Sequence, residues 1–293
     1  EVMSTGVNNV TIGGFAGDAL TTGGYNVVLG HNALSTENAN GRNVAIGQAT
    51  LNAQDAGADA YNVAVGYAAG ASVTTGTYNV LIGGLAGDTL TTGVNNVAIG
   101  YEALSTEDAH GTNVAVGFRS LKVQDAGANA YNTAIGHNTG TAISTGAENT
   151  IIGGDAGKAL TTGAANVAVG AFALEYETAY GYNTALGYKA LRVQDAGANA
   201  YNVGVGFLAG TAVTTGVRNV LLGGYAGDNI TTGSYNIAIG TNALSAEDAH
   251  GKNVAIGNSA LSALNAGADA YNVAIGHDAG VAVSTGIKNT IIG

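Results

Sequence analysis

The chain has 293 residues with 48 Gly, no Pro, no Cys and only 10% charged residues, a composition far from that of a compact globular enzyme. Its net charge of −11, with nine unclustered basic residues, excludes nucleic acid as a partner. The absence of Cys excludes stabilising disulfides, and the absence of an apolar run of about 18 residues excludes membrane insertion.

A five-residue motif recurs along the whole chain: Asn, an apolar residue, a small or apolar residue, a second apolar residue, and Gly. Each Asn is followed four residues later by Gly. Seventeen copies in fixed register cannot arise from composition alone, so they define a repeat protein. In chain order, the motif asparagines are Asn9, Asn26, Asn43, Asn62, Asn79, Asn96, Asn113, Asn132, Asn149, Asn166, Asn183, Asn202, Asn219, Asn236, Asn253, Asn272 and Asn289.

The spacing of these asparagines follows the order 17, 17, 19 and 17 residues and then starts again, which gives a 70-residue superrepeat. The four superrepeats cover residues 9–78, 79–148, 149–218 and 219–288. Stacked repeats share one continuous core, so we expect a single repeat domain over residues 1–293. Neither end has a polar capping coil, so we expect these residues to be part of a longer chain.

The motif itself is typical of a short β-strand, for example Asn96-Val97-Ala98-Ile99-Gly100. The Gly in fifth place predicts a corner with positive φ, and the frequent Thr-Thr-Gly before the next Asn predicts a second corner. One coil therefore has two or three short straight sides joined by turns. The sequence predicts an all-β fold, a β-solenoid of the β-roll or β-helix type with about 17 coils. At about 4.8 Å per coil, the stack forms a rod on the order of 80 Å long.

An Asn at the same place in every coil predicts a ladder, in which each amide donates to and accepts from its neighbours at a buried corner. We therefore interpret Asn9 through Asn289 as structural residues. The alternative is a row of asparagines that lines a binding groove.

The third place of the motif is apolar as well, and it is bulky at Leu81, Ile151, Leu221 and Ile291. A strand with one solvated face alternates apolar with polar residues, and this strand does not. One face is expected to contact the interior of the coil and the other a second copy of the chain. The sequence thus predicts a homo-oligomer of parallel rods.

Each 19-residue coil contains a segment that ends in tyrosine, such as 54–61. We interpret it as a protruding turn whose tyrosine covers an apolar edge. The alternative is a row of loops that offers its aromatic rings to a cell-surface glycan or receptor. The tyrosines concerned are Tyr61, Tyr131, Tyr201 and Tyr271.

Two further patterns have simpler interpretations than a site. Gly13 to Leu20 partly matches the calcium-binding nonapeptide of β-roll toxins, but Lys158 replaces its aspartate in the third copy, so a Gly-rich corner is expected. The Thr-Thr-Gly turns are interrupted in two coils of every four, which favours turn chemistry over an ice-binding face. The histidines lack a second histidine at ligand spacing. We predict no catalytic residues, no metal and no cofactor, and therefore no enzyme.

The run Asn-Val-Ala-Ile-Gly-x-x-Ala-Leu followed by Thr-Thr-Gly resembles the shaft repeats of bacteriophage tail fibres, notably those of marine phages, along the whole chain. More distantly, it is similar to the head repeats of trimeric autotransporter adhesins, although the coils here are longer. The resemblance implies a parallel homotrimer with a structural or adhesive role, located outside the cell or on the virion surface.

Three functional hypotheses follow. The first is a fibre shaft that presents a receptor-binding tip for host attachment. The second is an adhesin head whose repeated loops bind a host glycan or receptor. The third is the subunit of an extracellular filament or sheath.

Overall fold

The computed structural model describes residues 5–293, and these residues contain seventeen β-strands of three residues each and no helix. The predicted all-β solenoid of about 17 coils is confirmed. The first eight strands are β1 Val10–Ile12, β2 Val27–Leu29, β3 Val44–Ile46, β4 Val63–Val65, β5 Val80–Ile82, β6 Val97–Ile99, β7 Val114–Val116 and β8 Thr133–Ile135. The other nine are β9 Thr150–Ile152, β10 Val167–Val169, β11 Thr184–Leu186, β12 Val203–Val205, β13 Val220–Leu222, β14 Ile237–Ile239, β15 Val254–Ile256, β16 Val273–Ile275 and β17 Thr290–Ile292.

The chain forms two compact units, Glu1–Glu148 and Asn149–Gly293. The first unit contains β1 to β8 and the second contains β9 to β17. Their boundary coincides with the start of the third superrepeat at Asn149. The single continuous domain expected from the repeats stays a prediction.

Within each unit, every strand pairs in parallel with the strand of the next coil, and equivalent residues face each other. In the first unit Val97 pairs with Val114, and in the second Val167 pairs with Thr184. Each coil contains only this one strand, and turns and bends form the rest. The expectation of two or three straight sides was therefore too high, because hydrogen bonds between turns of successive coils replace the other strands. An example is the N–H of Leu34, which donates to the carbonyl oxygen of Thr50.

From here on, a coil runs from one motif Asn, at position 1, to the residue before the next. The predicted corner at position 5 is confirmed, since every Gly there has φ between 130° and 141°. A Cβ on Gly83 would lie 2.5 Å from the carbonyl oxygen of Gly100 in the next coil. Only Gly allows the coils to approach this closely.

The residue that precedes each motif Asn also has a left-handed conformation, although it is never Gly. Its φ lies between 52° and 65° in all seventeen cases. Apart from Asn8 and Asn95, these side chains, such as Ala165 and Tyr182, do not favour that conformation. The stacking of the coils imposes it, because this residue donates its N–H to the coil before, as Tyr182 does to Ala164.

The third residue of the motif points into the coil. Ala98 and Leu81 are fully buried there, as is the Ala at position 8, for example Ala103. The second and fourth residues point outward and are half-buried or exposed. Within residues 5–293, no helix is long and apolar enough to cross a membrane.

Candidate functional site

The motif asparagines form a continuous hydrogen-bonded column within each unit. The Oδ1 of Asn79 accepts the backbone N–H of Asn96, at 2.9 Å, and the Oδ1 of Asn96 accepts that of Asn113, at 3.0 Å. The Nδ2 of Asn79 donates to the carbonyl oxygen of Gly93, at 2.9 Å. The side chain therefore bonds mainly to backbone groups, whereas the sequence had suggested contacts between side-chain amides. A fully buried amide used in this way holds the corner of one coil against the next.

In the third coils of the first three superrepeats, the Nδ2 atom lacks its hydrogen bond, whereas in the fourth Nδ2 of Asn253 donates to Oδ1 of Asn236 and to the carbonyl oxygen of Gly251, both at 3.3 Å. The Nδ2 atoms of Asn43, Asn113 and Asn183 are buried and have no hydrogen-bond partner. In a 17-residue coil, Nδ2 reaches the carbonyl oxygen fourteen residues on, as in Asn79 and Gly93. The two additional residues of the 19-residue coil change which residue occupies that place.

Four glutamates at position 12 are buried where the first and fourth coils of a superrepeat have Leu, Ile or Val and the third coil has Gln or Leu. In each, Oε1 accepts the backbone N–H three residues on, as from Tyr180 to Glu177 at 3.2 Å, and Oε2 is buried with no partner. Burial raises the pKa of all four, and it raises that of Glu177 to about 7. This set was not predicted from the sequence, although the glutamates recur every 70 residues. They are Glu37, Glu107, Glu177 and Glu247.

The outward face of the strands carries no charged residue and is apolar except for four threonines at position 2. Every residue at position 4 is Ile, Leu or Val, and every residue at position 2 is Val, Ile or Thr. Ile82 and Ile135 in the first unit and Leu186 and Ile237 in the second are among its exposed members. We call these two columns the outer apolar face.

The four tyrosines predicted as loop contacts lie beside the protruding loops rather than at their tips. Each immediately precedes a motif Asn and follows a buried Ala, whereas the space around Gly57 in the loop is open. Tyr61 stacks on Tyr78, with ring centroids 5.4 Å apart, and Tyr201 stacks on Tyr182, at 5.2 Å.

These tyrosines belong to a longer exposed column that includes 17-residue coils. In the second unit it contains an uninterrupted series of aromatic and cationic residues: Tyr182, Tyr201, Arg218, Tyr235, Lys252, Tyr271 and Lys288. Arg218 donates to the hydroxyl of Tyr235, and Lys252 donates to that of Tyr271, both at 3.0 Å. Tyr131 of the first unit lacks this setting, because Thr112 and Glu148 occupy the adjacent coils. This series was not predicted, because the tyrosines of the 19-residue coils have equivalents in the 17-residue coils that only the stacked structure places in one column.

The sequence predicted roles in turns for the aspartates of the partial calcium motif and for the threonines of the Thr-Thr-Gly segments. Asp88 and Asp228, from the partial calcium motif, are half-buried, and burial raises the pKa of both. In the residues described, groups of three or more potential metal ligands occur elsewhere, around His110 and His250. The hydroxyls of Thr21 and Thr231 donate to backbone carbonyl oxygens of the next coil, which agrees with a role in turns.

No family model matches the chain, and no curated protein matches it.

Proposed function

We propose that the chain is the shaft of an extracellular or virion-borne fibre and that it associates with further copies of itself through the outer apolar face. The supporting observation is that no charged residue occurs at position 2 or position 4 of any coil. Soluble monomers rarely expose apolar patches larger than a few hundred Å². Two apolar columns that continue from coil to coil form a patch of the kind found at protein interfaces.

A second copy of the same chain is the partner that fits this face best. An identical copy carries the same apolar columns with the same spacing between coils, so parallel copies match at every coil. A closed arrangement of three copies places three such faces around one axis and covers all of them. A stable interface needs about 800 Å² from each partner, and a face that grows with every coil can supply it.

The interior of each unit also fits a mechanical role. Hydrogen bonds from the asparagine column and from the turns connect each coil to the next. No pocket is found in residues 5–293. Stiffness and length are the properties that such a stack provides, and a shaft uses both.

The test is the mass of the purified chain in solution by light scattering and sedimentation. We expect a trimer, and we expect Ile82→Lys combined with Ile135→Lys to give monomers, because two charges cannot be buried in an apolar interface. Ala128→Lys is the control, since Ala128 is exposed in a loop and belongs to neither position 2 nor position 4. An unmodified chain that is a stable monomer would refute the proposal, and an open series of masses would favour a filament or sheath.

The exposed tyrosine and cation series supports a second candidate, an adhesin that binds a glycan. Sugar rings stack on aromatic faces, and Tyr182 and Tyr201 present adjacent rings beside Arg218. A glycan screen should find a ligand for the unmodified chain that the double variant Tyr182→Ser and Tyr201→Ser does not bind. If no glycan binds the unmodified chain, the adhesin hypothesis is wrong and the shaft remains.

A further inference from the structure

One cluster of metal-ligand groups, in which Glu107 is buried, His110 is half-buried and the two aspartates are exposed, is used by neither proposal above. Glu107, Asp108, His110 and Asp125 each place one potential ligand atom within 4.8 Å of the others. The first three lie in one coil, and Asp125 lies in the next. The cluster therefore connects two successive coils of the first unit.

Two atoms of this cluster are buried without a partner. Glu107 is fully buried, and its Oε1 accepts the backbone N–H of His110 at 3.1 Å, while its Oε2 has no partner. The Nδ1 of His110 is buried as well and has no hydrogen-bond partner, and it lies 3.6 Å from Oε1 of Glu107. Oε2 is equally unpartnered in Glu37 and Glu177, so the feature specific to the copies with a histidine is the buried Nδ1. Buried polar groups are nearly always satisfied, so this atom requires an explanation.

We propose that Glu107, Asp108, His110 and Asp125 bind a divalent transition-metal ion of the Zn²⁺ type, which links the two coils. One imidazole nitrogen with carboxylate oxygens is a ligand set that Zn²⁺ accepts. Tetrahedral ligands about 2.1 Å from Zn²⁺ lie roughly 3.4 Å from each other. The distance of 3.6 Å between Nδ1 of His110 and Oε1 of Glu107 is close to that value.

The other superrepeats provide natural variants of this cluster. The fourth has Glu247, Asp248 and His250, again with Oε2 and Nδ1 buried and without a partner, but Asn265 replaces the aspartate of the next coil. The first and third have Asn40 and Tyr180 in place of the histidine. One chain should thus contain one four-ligand site, one weaker three-ligand site and two copies that bind no metal.

A hydrogen-bonded pair of protonated His110 and ionised Glu107 is the competing explanation. The distance of 3.6 Å is too long for a normal hydrogen bond. Such a pair also gives Asp108 and Asp125 no role, whereas a metal ion uses all four residues.

The experiment is a calorimetric titration of the full chain, treated with a chelator and then dialysed, with ZnCl₂. Co²⁺ serves as a second probe, because its visible absorption reports tetrahedral nitrogen and oxygen ligands. His110→Asn introduces the residue that the first superrepeat has at Asn40, so the variant should fold. His137→Asn is the control, since it removes an exposed histidine that stacks on Phe118, outside the cluster.

We expect one stronger and one weaker Zn²⁺ site per chain. His110→Asn should remove the stronger site, and Asp125→Asn should weaken it at least about tenfold, toward the affinity of the site at His250. His137→Asn should change neither affinity. Zn²⁺ should also raise the melting temperature of the unmodified chain and not that of His110→Asn.

Three outcomes would overturn the proposal. They are no Zn²⁺ binding below millimolar concentration, equal binding by the His110→Asn variant, and binding by Asp125→Asn as tight as that of the unmodified chain. The experiment is independent of the oligomeric state, so its result and that of the shaft proposal can be separated.

Discussion

Two neighbouring coils of the first unit, those that begin at Asn79 and Asn96, fill the same interior with different residues. The first coil has Leu81 at position 3, Gly87 at position 9 and Leu90 at position 12. The second coil has Ala98, Leu104 and Glu107 at the same three positions. All of the side chains among these residues are fully buried.

The difference shows that positions 3 and 9 fill the same interior space, so that a large residue at one of them goes with a small residue at the other. A Cβ on Gly87 would lie 2.8 Å from Cδ2 of Leu81, so Gly at position 9 leaves space for a large residue at position 3. Where position 3 is Ala98, Leu104 fills the space from position 9, in a left-handed conformation with φ of 51°. Interiors are packed closely enough that a change at one position requires a matching change at another.

The largest effect should come from breaking this match in the first coil. Gly87→Leu alone should cost about 3 kcal/mol, because the added side chain overlaps Leu81. Adding Leu81→Ala recreates the pattern of the second coil and should recover at least half of that loss. Thermal unfolding followed by circular dichroism measures both. A double variant less stable than Gly87→Leu would show that the two positions do not compensate.

The asparagine column allows a second comparison, between coils in which Nδ2 has a partner and coils in which it has none. Asn219 accepts the N–H of Asn236 and donates to the carbonyl oxygen of Gly233, both at 2.9 Å. Asn113 accepts the N–H of Asn132, but its Nδ2 has no partner. Asn219→Ala should lower the free energy of unfolding by about 2–3 kcal/mol, and Asn113→Ala should lower it by about 1 kcal/mol less than that. Equal losses in urea unfolding would contradict the role assigned to Nδ2.

The buried glutamate of the second coils makes stability depend on pH, unlike the Leu of the first coils. The pKa of Glu177 is raised by burial from its ordinary value of 4.5 to about 7. Between these values the folded chain retains a proton that the unfolded chain releases, so its contribution to stability falls as pH rises. Glu177→Gln stays neutral and retains an acceptor for Tyr180. The free energy of unfolding of this variant should match that of the unmodified chain at pH 4 and exceed it by on the order of 2 kcal/mol at pH 8.

The check is the difference in melting temperature between Glu177→Gln and the unmodified chain at several pH values. Glu148→Gln is a control, because Glu148 has the same charge and does not lie at position 12. A difference that does not change between pH 4 and pH 8 would show that the pKa of Glu177 is the same in the folded and the unfolded chain.

The smallest effect should follow a substitution that introduces the residue found at the equivalent position of another superrepeat. Gln124 accepts from Nδ2 of Asn132 at 2.7 Å, whereas the equivalent residue of the fourth superrepeat is the fully buried Leu264. Asn132 has a second acceptor in the carbonyl oxygen of Gly146, at 2.7 Å. Gln124→Leu should therefore change the free energy of unfolding by less than about 1 kcal/mol. A larger loss in urea would mean that the third coils are not interchangeable.

The sequence determined the fold to a large extent. Because one coil cannot bury its apolar residues alone, the spacing of Asn and Gly was sufficient to predict stacked parallel coils, their number and the corner at position 5. The same spacing identified the asparagine column, since an identical polar residue in every coil must meet its own copies.

The tertiary structure alone decided which way each residue points and what lies beside it. A strand of three residues with apolar side chains on both faces carries no period from which inside and outside can be distinguished. Only the stacked coils show that position 3 is buried and that positions 2 and 4 form the outer apolar face. The cluster at His110 is likewise invisible to the sequence, because Asp125 joins it from the next coil. That contact depends on the close approach of successive coils, and the sequence specifies it only through the whole stack.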